Sequence, residues 1–245
     1  MTIDQIIALA ASIGACLSAL ATFLTVRQVA RQREASYKPE ITPSRTHFRS
    51  TTNPLTKGPL PDLWVEPLEG ADPVPARPGT HFSVPLRNIG LGAAKAVEAS
   101  WSFQIGAFVE AVNRVAQRSL TPAYFSYESG MLHFNTDNSG RSTSIWQNQQ
   151  RASIDYLMSA AVESKPVMLV VPHAYITLVS ALLFFNARDK DSKRMPDIPP
   201  LTLQLVYRDI GDRKHSGAFE VHCELAAVRG DGEVLHGWLE FTKTA

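Results

Sequence analysis

One segment constrains this chain more than any other: Ile3 to Val26 contains no Lys, Arg or Glu, and Arg27, Arg31 and Arg33 follow at once. Roughly 24 residues rising about 1.5 Å each make a helix of about 36 Å, enough to cross a hydrocarbon core of about 30 Å with some tilt. The large apolar side chains are worth about −0.5 kcal/mol each on an insertion scale, which outweighs the small cost of Ser12, Gly14, Ser18 and Thr22. Asp4 lies at the margin, where its carboxylate reaches water. A cleaved signal peptide would need a positive stretch ahead of the apolar one, and only Asp4 stands there. The segment reads as a single membrane anchor.

Its flank also sets the expected orientation. Lys and Arg stay on the cytoplasmic side, and the nearby ones (Arg27, Arg31, Arg33 and Lys38) all follow the apolar segment. The expectation is a single-pass protein of the cell inner membrane with its C-terminal domain in the cytoplasm. The same basic residues can hold anionic membrane lipid at about 1 kcal/mol each. Cys16 falls in the anchor and Cys223 in an expected strand, so no pair is present to staple an exported domain. A net charge of +1 removes the bulk electrostatic case for nucleic acid.

Three regions follow from composition: an anchor helix and basic stalk over 1–36, a first strand and Pro-rich excursion over 37–80, and a β domain over 81–245. Lys38-Pro39 should stop the helix, because a residue before proline disfavours helical angles. Eight of the sixteen prolines lie between Pro54 and Pro85, which excludes both helix and central strand there. From His81, Phe82, Val84 and Leu86 alternate with polar neighbours up to the turn Asn88-Ile-Gly-Leu-Gly92. Alternation resumes with Val97, Ala99, Trp101, Phe103 and Ile105 on one face. Phe108, Val112 and Val115 then recur at helical spacing, predicting a helix over 107–119. Ile145 to Gln147 and Ile154 to Met158 are ambiguous.

The stretch Val167 to Phe185 also lacks charge and is long enough to span a membrane, but Pro172 and His173 divide it. It reads as a buried strand, Val167 to Val171, and a core helix near 174–186. A hairpin is expected to join Leu201–Tyr207 to Phe219–Ala227, with Gly211 and Gly217 supplying positive φ between them. Arg229-Gly-Asp-Gly232 is a second turn, leading to a last strand around Leu235 to Phe241.

Chemical motifs are mostly excluded by their context. Gly90-Leu-Gly92 is followed by a strand pattern, whereas a phosphate loop must open a helix. Asn135 to Gly140 matches the first half of a calcium loop, yet its twelfth position is Trp146 where a bidentate Glu is needed. The seven histidines form no zinc spacing, and no Gly-x-Ser-x-Gly elbow occurs. The Arg229-Gly-Asp231 tripeptide reads as turn chemistry. No catalytic residue, cofactor or metal is expected, and the chain is not expected to be an enzyme.

The positive signal lies in the anchor. Ala10, Gly14, Ser18 and Thr22 repeat every four residues and form one helix face small enough for close backbone approach, the pattern by which membrane helices pair. This predicts self-association or a protein partner met through the anchor.

The segment Phe82 to Trp101, with Asn88-Ile-Gly90-Leu-Gly92-Ala-Ala94 between two alternating strands, resembles the Asn-x-Gly turn of bacterial and archaeal immunoglobulin-like β-sandwich modules. The single span, arginine-rich neck and β domain together resemble uncharacterised bacterial membrane-anchored proteins. Those resemblances imply a mainly β fold: a transmembrane helix, then a two-layer antiparallel immunoglobulin-like sandwich with one or two inserted helices. They imply no reaction. The expected function is a binding or scaffolding module at the inner face of the membrane. An exported-side envelope module and a hydrolase with a site scattered on loops are the alternatives.

Overall fold

In the computed structural model, the described residues are 2–53, 59–67, 81–119, 121–136, 143–146, 150–192 and 194–244. The Pro-rich excursion over 54–58 and 68–80, most of the calcium-like loop, and Gln147 therefore lie outside them.

The apolar start forms one helix, α1 (Ile3–Ser36), whose candidate span Ile3–Gln32 contains an 18-residue stretch with a mean hydropathy of 2.1 that is not buried against the rest of the chain. This helix is long and apolar enough to span a membrane. Beyond it the fold is mainly β and antiparallel. Strands β1 (Ile41–Pro43), β2 (Thr46–Thr51) and β3 (Leu63–Val65) precede β4 (Ser83–Asn88) and β5 (Ala94–Ser102). Helix α2 (Ile105–Arg118) leads to β6 (Ala123–Glu128), β7 (Met131–Thr136), β8 (Thr143–Trp146) and β9 (Arg151–Leu157). After β10 (Val167–Val170) and α3 (His173–Arg188), the chain ends on β11 (Leu201–Arg208), β12 (Lys214–Arg229) and β13 (Val234–Lys243).

The main sheet has seven strands in the order β3-β2-β13-β12-β11-β5-β9 and curls into a half-barrel. Leu201, Leu203 and Leu205 pair with Val221, Phe219 and Gly217, which puts the apolar alternates of β11 and β12 on one buried face. Helix α3 packs into that core: residues 174–185 are all buried, so its composition is apolar on every side. The uncharged stretch Val167 to Phe185 is thus a strand and a helix of the domain; the helix is buried, but β10 is an edge strand with Met168 half exposed, not the buried strand expected. A three-stranded sheet, β1-β4-β10, completes the enclosure, with Val84 and Leu86 fully buried and the Trp101 indole N–H donating to the Val170 carbonyl at 2.9 Å. Where the sequence predicts two facing sheets of an immunoglobulin-like sandwich, the layer across from the curled sheet combines a helix with a short sheet.

A third small sheet, β6-β7-β8, is tied to α2 by Asn113, whose amide donates to the Phe125 carbonyl at 2.8 Å and accepts from the Phe125 N–H at 2.7 Å. Ser129 and Gly130 join β6 to β7, both at positive φ, as a two-residue hairpin turn requires.

Two local expectations need correction. Ile105 does not continue β5; it opens α2, because Ile105, Phe108 and Val112 fall on one helical face and all three are buried. The β11–β12 turn does not rest on glycine either. Asp209 accepts hydrogen bonds from the Gly211 and Arg213 amides at 2.8 and 3.0 Å, Asp212 takes the positive φ, and Gly217 sits within β12 opposite Leu205.

Candidate functional site

The place where sequence motifs, buried polar groups and surface chemistry converge is the junction between the anchor and the domain. Helix α1 ends at Ser36, in step with the stop expected from Lys38-Pro39. The next residues are not a free linker. The Ile89 N–H donates to the Glu40 carbonyl at 2.8 Å, and Ile41 opens β1 opposite Asn88. The Tyr207 hydroxyl, whose pKa burial raises, stays protonated and donates to the Pro39 carbonyl at 3.4 Å.

Asn88 is the hub. It is 1% exposed, and its Oδ1 accepts from the Glu40 amide at 3.0 Å and the Gly90 amide at 3.1 Å. Its Nδ2 donates to the Gly92 carbonyl at 2.6 Å and the Leu157 carbonyl at 3.1 Å. Both acceptor sites and both donors of the side chain are used. The neck, the turn and the end of β9 thus meet on one residue.

Gly90 and Gly92 are required for proximity, not for positive φ. A side-chain carbon at Gly90 would overlap the Lys38 carbonyl oxygen and lie 2.6 Å from the Glu40 nitrogen, and one at Gly92 would overlap the Tyr37 carbonyl oxygen. The glycines that the sequence presents as a tight turn form a bed on which the neck backbone lies.

Around this junction opens a cleft of about 350 Å³ lined by Lys38, Glu40, Leu91, Tyr207, His215 and Lys243, among others. His215 stacks on Tyr207 and places Nε2 2.9 Å from Asp209 Oδ2. The hydrogen bond from His215, joined by the Arg213 and Gly211 amides, holds the Asp209 carboxyl below its ordinary range. Lys95 meets Asp212 at 2.9 Å and Lys243 meets Glu40 at 3.8 Å. Tyr37, Ile89, Leu91 and Ile210 at this end are more than half exposed.

Of the residues singled out from sequence, Ala10, Gly14, Ser18 and Thr22 lie exposed along α1, with open space around Gly14. The Thr22 hydroxyl donates back to the Ser18 carbonyl at 2.9 Å, which satisfies its donor without a partner chain. Arg27 and Arg31 are exposed on the same helix, and the side chain of Arg33 lies outside the described residues. Lys38 alone of these residues joins the cleft. Sequence reading recognised the turn but missed the role of Asn88. It also missed Glu40, Tyr207 and His215, which come from three distant segments with no shared spacing.

A second polar cluster sits at the start of α3. His173 Nδ1 lies 3.3 Å from the Thr177 hydroxyl, and Asp62 stands close enough to interact electrostatically. Burial raises the Asp62 pKa, with His173 opposing. Burial lowers the His173 pKa, with Asp62 opposing and His81 adding to the decrease. Thr177 is 2% exposed, so its hydroxyl is closed to a substrate. Among the described residues, no group of three or more His, Cys, Asp or Glu is placed to hold a metal ion. Cys223 is buried, which pushes its thiol pKa well up, and Cys16 lies on α1.

The His173 shift has a testable sign. Because its pKa is depressed in the folded chain, the unfolded chain takes up a proton first as pH falls below about 6.5, and stability is lost from there downward. The slope from this one group is at most about 1.4 kcal/mol per pH unit. Thermal melts at about pH 7.5 and pH 5.5 should show a smaller acid loss for His173→Gln than for the parent chain. Equal losses would show that His173 stays paired and charged.

No family model matches the chain, and comparison with curated proteins and with solved structures gives no match either.

Proposed function

We propose that this chain is a membrane-anchored binding or scaffolding module that acts through protein contacts at the cytoplasmic face of the inner membrane. The observation that carries the reading is the junction: the neck is locked to the domain by Asn88, Gly90, Gly92 and Tyr207, so the anchor and the β domain are built to work together. The arginine flank of α1 supports the cytoplasmic orientation. The turn that resembles immunoglobulin-like modules fits a domain that works by contact, and no reaction or cofactor is assigned.

The partner would be met in part through α1, by the face of Ala10, Gly14, Ser18 and Thr22, in self-association or with another membrane helix. Replacing Gly14 and Ser18 together by Leu should weaken that association severalfold in a membrane two-hybrid assay, and an unchanged signal would reject the helix face. The reading as a whole is tested by isolating the intact chain in mild detergent and identifying its neighbours by mass spectrometry. A reproducible membrane or cytoplasmic partner supports it; background alone counts against it. Protease protection of the domain in intact spheroplasts is the expected topology, and digestion there would favour the exported-side alternative.

A further inference from the structure

We infer that the face of the β domain surrounding the neck rests on the anionic lipid headgroups of the bilayer that α1 enters. The inference builds on the anchor reading and adds a second membrane contact to it.

Three observations converge. First, the neck sets the height. The 34 residues of α1, at about 1.5 Å each, span about 51 Å against a bilayer of about 40–45 Å with its headgroups, and any tilt shortens the rise. The residues after Ser36 therefore emerge within about 10 Å of the headgroups, and closer when the helix tilts; Tyr37 to Glu40 cannot act as a spacer because they lie on Gly90 and Gly92. Second, that end of the domain carries Tyr37, Ile89, Leu91 and Ile210 at 54%, 57%, 61% and 64% exposure. Two apolar side chains on one turn and a third on the adjacent hairpin tip suit insertion between headgroups, a poor arrangement for open water. Third, the charge fits. Glu40, Asp209 and Asp212 are already engaged by Lys243, His215 and Lys95. Lys38 and Lys214 flank the same cleft and hairpin and leave the outward charge positive. A basic residue near an anionic surface gains about 1 kcal/mol, acting within a Debye length of about 8 Å.

The occupant is thus a bilayer surface rich in phosphatidylglycerol-type lipid. The test uses the full chain in nanodiscs, in a Cys16→Ala background that leaves Cys223 buried. A dye is placed at Leu91→Cys or, at the far end of the 16-residue β12, at Asp231→Cys, and energy transfer is read to acceptor-labelled headgroups. Strong transfer from position 91 and weak transfer from 231 in anionic discs is expected. Neutral lipid, or Lys38→Gln with Lys214→Gln, should shift the docked-to-undocked ratio about fivefold per lysine. Equal transfer at both positions, or transfer indifferent to lipid charge, overturns the inference. So does transfer at 91 that appears only with two copies per disc, which would assign the face to a second chain. Alkaline carbonate extraction separates the two levels: a chain that stays in the membrane yet shows no docking loses this inference alone, whereas a released chain loses the anchor reading as well.

Discussion

Asn88→Ala is expected to lower the unfolding free energy by about 3 kcal/mol and to loosen the neck at the same time. The side chain is buried and makes four hydrogen bonds; its removal strands the Gly92 and Leu157 carbonyls away from water and the Gly90 amide in partial burial. Each buried polar group left without a partner costs about 1–3 kcal/mol, and the part-buried Glu40 amide loses its acceptor as well. The two effects are separable by measurement. Denaturant midpoints of the detergent-solubilised chain report the stability, and amide exchange at Glu40 and Ile89 reports the neck. Asn88→Asp keeps the acceptor half of the network but points a carboxylate at two carbonyls, so most of the loss should persist at neutral pH. A variant with an unshifted midpoint and unchanged exchange would mean that backbone pairing of β1 with β4 suffices to hold the junction.

The largest single-residue effect should come from Trp64→Ala, at about 3–5 kcal/mol. Trp64 belongs to a strand of only three residues, so few backbone hydrogen bonds hold it. Its ring stacks on Phe48 with centroids 3.8 Å apart, meets Phe82 edge-on at 5.6 Å, and donates its indole N–H to Ser180 Oγ at 2.9 Å. One side chain therefore joins the edge of the curled sheet, the small sheet and α3. Ser180→Ala isolates the polar part: the buried indole N–H loses its acceptor, worth about 1–3 kcal/mol, with the packing intact. If the two variants cost the same, the hydrogen bond rather than the stacked ring holds the edge. If neither moves the midpoint, β3 detaches before the domain unfolds.

Much of this architecture was readable from local pattern, and the reasons differ by element. The long apolar helix α1 was legible because length and hydropathy suffice to define it. The β11, β12 and β13 strands were legible because each buries one face, so alternation survives in the residues. Helix α3 was legible from Pro172, which marks its start, and from the stripe Tyr175, Leu178, Val179, Leu182 and Phe185, although burial on every side leaves it little polar contrast. Strand β9, an edge strand with exposed residues on both faces, gave an ambiguous pattern for the opposite reason. The junction was half legible. Asn88, Gly90 and Gly92 announce a turn, but the purpose of those glycines depends on Tyr37 and Lys38, some fifty residues earlier in the chain. The pairing of Asp62 with His173 likewise depends on long-range placement that no spacing rule records.

The locked neck also fixes the leash on which the domain works. A flexible linker would let the domain sweep a hemisphere above the membrane, diluting every surface it carries. Here a single turn at Tyr37 separates α1 from residues already bound to the domain. The β12–β13 hairpin then acts as a boom: sixteen residues at about 3.3 Å place its Arg229–Gly232 tip at most about 50 Å from the neck. Under the proposed function, a partner in the same leaflet would meet this module at a set height and at high effective concentration, whereas one that docks farther from the bilayer than the boom extends would be out of range.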